Sequence, residues 1–74
     1  MTLEQDCIAV LAKELGPATK AFLDRQCRHH LKKEPSALQK SDLDELARWC
    51  QIGTQLTLGT ETGEIIKKGI LSLK

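Results

Sequence analysis

The thiol of Cys27 stands two and three residues from the imidazoles of His29 and His30, the closest approach of a nucleophile to a base in this chain. A thiol beside a histidine has the ingredients of nucleophilic catalysis, because the imidazole can accept the proton that makes the sulfur reactive. The same residue types bind soft metals, and Cys27 and His30, three apart, would share one side of a helix. Both readings lack parts. No third group stands ready to orient the histidine. A zinc site needs about four ligands, as a rule announced by close pairs such as Cys-x2-Cys, and Cys7, Cys27 and Cys50 form no such pair. Each of the three falls in an apolar stripe, where cysteine serves as a small core hydrophobe.

The other candidates for catalysis are weaker. Ser36, Ser41 and Ser72 occupy connector, cap and terminal positions, and Asp42, Asp44 and Glu45 crowd a helix start, where the dipole favours acids. Gly59-Thr-Glu-Thr-Gly63 lacks the lysine of a phosphate-binding loop. A chain of 74 residues also has little room for a substrate cleft. The sequence therefore predicts no catalytic residues, no metal ligands and no cofactor.

Two groupings suit binding instead. Arg25, Arg28, His29, His30, Lys32 and Lys33 form a basic block with no acid inside it. Through Arg25, Arg28, Lys32 and Lys33 it could hold an anion, a nucleic-acid backbone or an acidic partner. Cations also collect at helix C-termini because the dipole favours them there, and no aromatic residues are interleaved to stack on bases. The net charge of +1 is small for a protein that coats nucleic acid. A helix-turn-helix over Leu43–Gly53 and the following segment would have a reading element, residues 51–62, with no Lys or Arg, unlike helices that grip phosphates. The second grouping is Trp49, Ile52 and Leu56, at i, i+3 and i+7, beside the main apolar stripe of its helix. Either that helix is central and buried on two sides, or this second stripe is a contact surface anchored by Trp49, a residue enriched at binding hot spots.

The elements that carry these residues read as helices. Thr2 and Gln5 make a capping box ahead of Leu3, Cys7, Ile8, Leu11 and Leu15. Leu15-Gly16-Pro17 then stops one helix and starts another: Gly16 suits a left-handed C-cap and Pro17 the first position of a new helix. A break is favoured here over one long helix kinked at Pro17. The second helix is expected from Pro17 to about Lys33, with Ala18, Phe22, Leu23, Cys27 and Leu31 inward and Pro35 ending it. After a connector with Leu38 against the core, Ser41 caps a third helix that buries Leu43, Leu46, Ala47 and Cys50. This helix ends either at Gly53 or beyond Leu56 at Gly59. Residues 54–58 alternate polar and apolar, but no partner strand exists for them. Thr60 or Thr62 caps a last helix whose stripe is Ile65, Ile66, Gly69, Ile70 and Leu73, with Gly69 permitting close approach.

The run Leu11-Ala-Lys-Glu-Leu-Gly-Pro-Ala18, followed by Phe22 and Leu23, resembles the opening of a small helical domain appended to bacterial and archaeal signalling proteins, kinases and regulators among them. Leu43-Asp-Glu-Leu46-Ala47 is similar to a later Leu-x-x-Leu-Ala helix of that domain. The resemblance covers the chain to about residue 50, and the C-terminal third departs from it by lacking an Ile-Pro step after the third helix. It implies a compact helical interaction module without catalytic residues, and it transfers no functional site.

Composition fits the same expectation. The chain is 41% hydrophobic and 28% charged, too apolar to be disordered, with one Phe, one Trp, one Val and no Tyr. A core of Leu, Ile, Ala and Cys suits packed helices better than a sandwich of strands. Met1 to Asp6 holds two acids and no base, unlike a secretory signal, and no apolar run is long enough to span a bilayer. Three unpaired cysteines suit a reduced, cytoplasmic setting. We therefore expect one small all-α domain over residues 1–74, a bundle of about four short helices whose first two are joined by a Gly-Pro break. Its expected role is protein–protein interaction or regulation, with another protein or a second copy as partner and no membrane. The alternative is nucleic-acid binding through the basic block.

Overall fold

Helix α1 runs Leu3–Leu15 and begins as its sequence dictates. In this computed structural model, which describes residues 2–74, the Gln5 amide donates to Thr2 Oγ1 at 3.1 Å and the Thr2 amide donates to Gln5 Oε1 at 3.2 Å. The reciprocal pair satisfies two amides that the first turn would otherwise leave open. Gly16 ends the helix with φ +56° and ψ −128°, backbone angles that a side chain resists, and its amide donates to the Ala12 carbonyl. Gly16–Ala18 form a single 3-10 turn, closed by the Thr19 hydroxyl donating to the Gly16 carbonyl at 2.7 Å. The Gly-Pro step is thus a true break. Pro17 lies in that turn, and helix α2 starts two residues later than expected, at Thr19.

Helix α2 spans Thr19–Gln26 and passes directly into a π-helical turn, Cys27–Leu31, which Lys32 ends in the left-handed conformation at φ 59°. Two 3-10 turns follow, Pro35–Ala37 and Lys40–Asp42, with Pro35 and Leu38 both buried. Helix α3 covers Leu43–Leu58 and α4 covers Thr60–Leu71. Two expected caps are corrected here. The start of α3 is organised by Gln39 and Asp42 across the 3-10 turn, the Gln39 amide donating to Asp42 Oδ2 at 2.9 Å, and Ser41 makes no cap. At α4 neither Thr60 nor Thr62 caps; the flanking residue is Gly59.

Gly59 alone joins α3 to α4. Its φ of +100° and ψ of 164° reverse the chain in one residue, a region open almost only to glycine. Its amide donates to the Gln55 carbonyl and its own carbonyl accepts from the Gly63 amide, so one residue closes one helix and opens the next. The two helices run antiparallel and share the largest contact in the molecule. Lys74 at the chain end reaches back to Asp44 at the start of α3, 2.8 Å from both carboxylate oxygens.

Among the described residues there are no strands, and the fold is all-α with four α-helices. Its core is one cluster: Cys7 and Leu11 from α1, Leu23 and Cys27 from the second segment, Leu38, then Leu43, Leu46, Ala47 and Cys50 from α3, and Ile66 and Ile70 from α4. The radius of gyration, 10.7 Å, matches the roughly 11 Å expected of a folded chain of this length. Where helices cross, glycine admits them. A Cβ at Gly63 would lie 2.9 Å from the Gln51 carbonyl oxygen of α3, and one at Gly69 would lie 2.6 Å from Val10 Cγ1 of α1. No helix of the described residues is long and apolar enough to cross a membrane.

Candidate functional site

Helix α3 is central, and it buries only one side of itself. Leu43, Leu46, Ala47, Cys50 and Thr54 face the core. Gln51 and Gln55 lie along Gly63 of α4, and Gly53 lies against the Phe22 ring of α2, 3.0 Å from where its Cβ would be. Trp49, Ile52 and Leu56 occupy the remaining outward side, at the i, i+3, i+7 spacing of one helix face. Leu56 is 82% exposed and Ile52 41% exposed, while Trp49 is half-buried. The stripe is therefore not a second buried side of α3, since Leu56 stands in solvent.

The indole of Trp49 is covered by His30. The two rings stack with centroids 3.8 Å apart and planes 7° from parallel. The π turn explains how an imidazole from the second segment reaches that position. Thr19, Leu23, Cys27 and Leu31 recur every four residues. A regular α-helix turns about 100° per residue, so a strict four-residue spacing drifts by about 40° at each repeat. Such a helix would carry Leu31 off the core and turn His30, seven residues after Leu23, toward it. Under-winding by one π turn corrects the drift. Leu31 then packs half-buried against the core, and His30 turns sideways onto Trp49. The four-residue spacing was a signal for this turn that period-3.6 reading passes over.

The basic block does not act as one surface. Arg28 Nε binds Asp24 at 2.7 Å, and the guanidinium also lies 3.9 Å from Glu34. Lys33 Nζ binds Asp42 at 2.8 Å. Arg25 and Lys32 are exposed and, among the described residues, meet no carboxylate within ion-pair distance. Two of the four candidate anion-binding residues are therefore already neutralised, and Arg28 and Asp24 line a groove shared with α1 and Pro35.

The Lys33 ammonium and the Gln39 amide hold the Asp42 carboxyl below its ordinary value, the lysine contributing most. A carboxyl whose pKa is lower folded than unfolded stabilises the fold above the unfolded value, and that contribution disappears as pH falls through the folded one. Thermal midpoints measured from neutral pH down to about pH 2.5 should therefore fall through the acid range. Asp42→Asn should remove part of that fall by lowering the neutral-pH midpoint. A variant with the same acid-range slope as the wild type would show that the pair contributes nothing.

Cys7, Cys27 and Cys50 are all sealed in the core, with no exposure. Burial, and secondarily the proximity of the other thiols and of nearby carboxylates, pushes Cys7 up to about 12 and Cys27 up to about 11, and raises Cys50 as well. Thiols so far from ionising are poor nucleophiles. Cys27 is thus on the inside of the segment while His29 is exposed and His30 is committed to Trp49. An aromatic disulfide reagent at pH 8 should leave the native protein unmodified and titrate all three thiols in denaturant. Fast reaction of one thiol in native protein would overturn the sealed-core assignment.

One open groove, about 810 Å³, lies between α1, α2 and the Pro35 turn. Glu4, Lys20, Asp24, Arg28 and Glu34 rim it with both signs of charge. Arg28 bridges two of its acids, and no buried side-chain polar atom among the described residues is left without a partner to aim into it. It offers no focused chemistry. Leu58 and Ile65 are also exposed. Ile65 is four residues before Gly69, at the α1 edge of α4, and isolated exposed apolar residues are normal. No protein-family model, no curated protein and no solved structure matches this chain.

Proposed function

We propose that this chain is a non-catalytic protein–protein interaction module that docks its partner on the Trp49, Ile52 and Leu56 face of α3. The observation that carries the reading is the exposure of Leu56 and Ile52, 82% and 41%, on the same helix face as a stacked tryptophan. Covering a leucine side chain is worth about 1.5–3 kcal/mol, and the fold takes almost none of that from Leu56. Trp49 supplies a large anchor whose rotamer is fixed in advance by His30, which lowers the ordering penalty on binding. The likeness of residues 11–18 to a domain of signalling proteins supports a regulatory role, within a reducing cytoplasm that suits three free thiols.

A photo-reactive phenylalanine analogue placed at position 56, and separately at exposed Glu64 on α4, tests this in cells that make the protein. A discrete adduct from position 56 that is absent from position 64 is the expected result, and an adduct of doubled mass would identify a second copy. Equal, diffuse labelling from both positions would refute the docking face.

A further inference from the structure

The charges that flank this face indicate its occupant. We infer that the face of α3 receives an acidic amphipathic helix of another protein; the inference rests on the docking reading above. Trp49 to Leu56 is a straight ridge of two turns, about 10 Å long, at the spacing with which helices present anchors to one another. Among the described residues no strand edge exists to which an extended peptide could add.

The flanks are positive. Arg25, three residues after Phe22, lies on the α2 side of the ridge, and Arg48, four before Ile52, lies on the other. Both are exposed, and neither has a carboxylate within ion-pair distance among the described residues. His29 is exposed one turn after Arg25, whereas Lys32 lies with Arg28, Lys33 and Glu34 and is not part of this face. Glu45, one turn before Trp49, is the one acid of α3 on the ridge itself, against the two arginines that flank it. A helix with apolar residues at i, i+4 and i+7 and acids beside them would bury the ridge and pair both arginines.

A second copy fits less well. A two-fold contact places the same patch against itself, so each copy would bring two unpaired arginines and a single ridge acid, Glu45, to the contact. Nucleic acid also fits less well, because Arg28 and Lys33 are held by carboxylates and His30 covers a face of the indole that a base would need.

The test is selection from a displayed library of helical peptides. Leucine is fixed at i, i+4 and i+7, all flanking positions are random, and the full chain and its Leu56→Asp variant serve as parallel targets. Leu56 is too exposed for its replacement to threaten folding, which a matching circular dichroism spectrum and thermal midpoint would verify. The expected result is peptides rich in Asp and Glu at the flanks, bound at least about tenfold more weakly by Leu56→Asp. Their affinity should also fall with added salt and with Arg25→Glu or Arg48→Glu. Enriched peptides with neutral or basic flanks would overturn the acidic partner while leaving the docking face standing. Equal enrichment on both targets would remove the docking face itself. A wild-type dimer in light scattering that Leu56→Asp turns into a monomer would overturn the inference in favour of a second copy. A labelled single-stranded RNA bound equally well by both chains would overturn it in favour of nucleic acid.

Discussion

Replacing Gly63 with valine is expected to lower the stability of the fold by about 3 kcal/mol, at the upper end of the range for overpacking a tight contact. Helix propensity alone predicts the opposite sign, since valine is a few tenths of a kcal/mol better than glycine in a helix interior. The crossing decides the outcome. A Cβ at position 63 would come 2.9 Å from the Gln51 carbonyl oxygen and 3.3 Å from Gln55 Cβ. The first of these is helix backbone and cannot swing away, so α4 must lift from α3 along the largest contact in the molecule. A chain of this length has a total stability of about 4–11 kcal/mol, so the loss is a large share. Gly53→Ala is the comparison. There the new Cβ meets the outer edge of the Phe22 ring at 3.0 Å, the far end of a half-buried side chain that can rotate. Its strain and the roughly 1 kcal/mol gained in propensity should nearly cancel. Urea unfolding followed by circular dichroism reads both. A Gly63→Val chain as stable as wild type would mean that α3 and α4 do not approach as closely as they are placed.

Much of this architecture was legible because it is written in local signals. The Thr2–Gln5 box, the Gly16-Pro17 break and the apolar stripes of the helices depend on residues close in sequence, and they appear where their signals stand except at Ala18 and Ile65, which were expected inward and are exposed. What escaped depends on context. The sequence left two ends open for α3, and only the fold chooses between them: the helix runs past Gly53, which lies against Phe22, to Leu58, and Gly59 supplies the stop. The caps at α3 and α4 went to Asp42 with Gln39 and to Gly59, since the backbone at Ser41, Thr60 and Thr62 already lies inside a turn or helix. The basic block looked continuous in sequence, but Asp24, Glu34 and Asp42 arrive from one turn back and from the connector to neutralise Arg28 and Lys33. Trp49, Ile52 and Leu56 were legible as a stripe. That His30 would cover Trp49 was not, because it requires a π turn that only the four-residue recurrence of Thr19, Leu23, Cys27 and Leu31 hints at.

Leu46→Ala and Leu56→Ala make a matched pair, the same substitution ten residues apart on one helix, and they should differ by several kcal/mol. Leu46 is fully buried among the core side chains. Its truncation removes the transfer energy of the lost methyl groups and leaves a cavity that helices pinned at glycine crossings cannot collapse to fill, so a loss of about 3–4 kcal/mol is expected. Leu56 is 82% exposed and has little contact to lose. Alanine there is a slightly better helix former and removes apolar surface from water, so the change should stay within about 0.5 kcal/mol of zero and lean toward stabilisation. The asymmetry bears on function as well as on folding. A large apolar side chain that the fold does not use, on the same face as a pre-positioned tryptophan, is available for a partner to cover. If thermal and urea unfolding instead showed Leu56→Ala to be as damaging as Leu46→Ala, Leu56 would belong to the core, the outward face of α3 would be closed, and the docking surface would lose its principal residue.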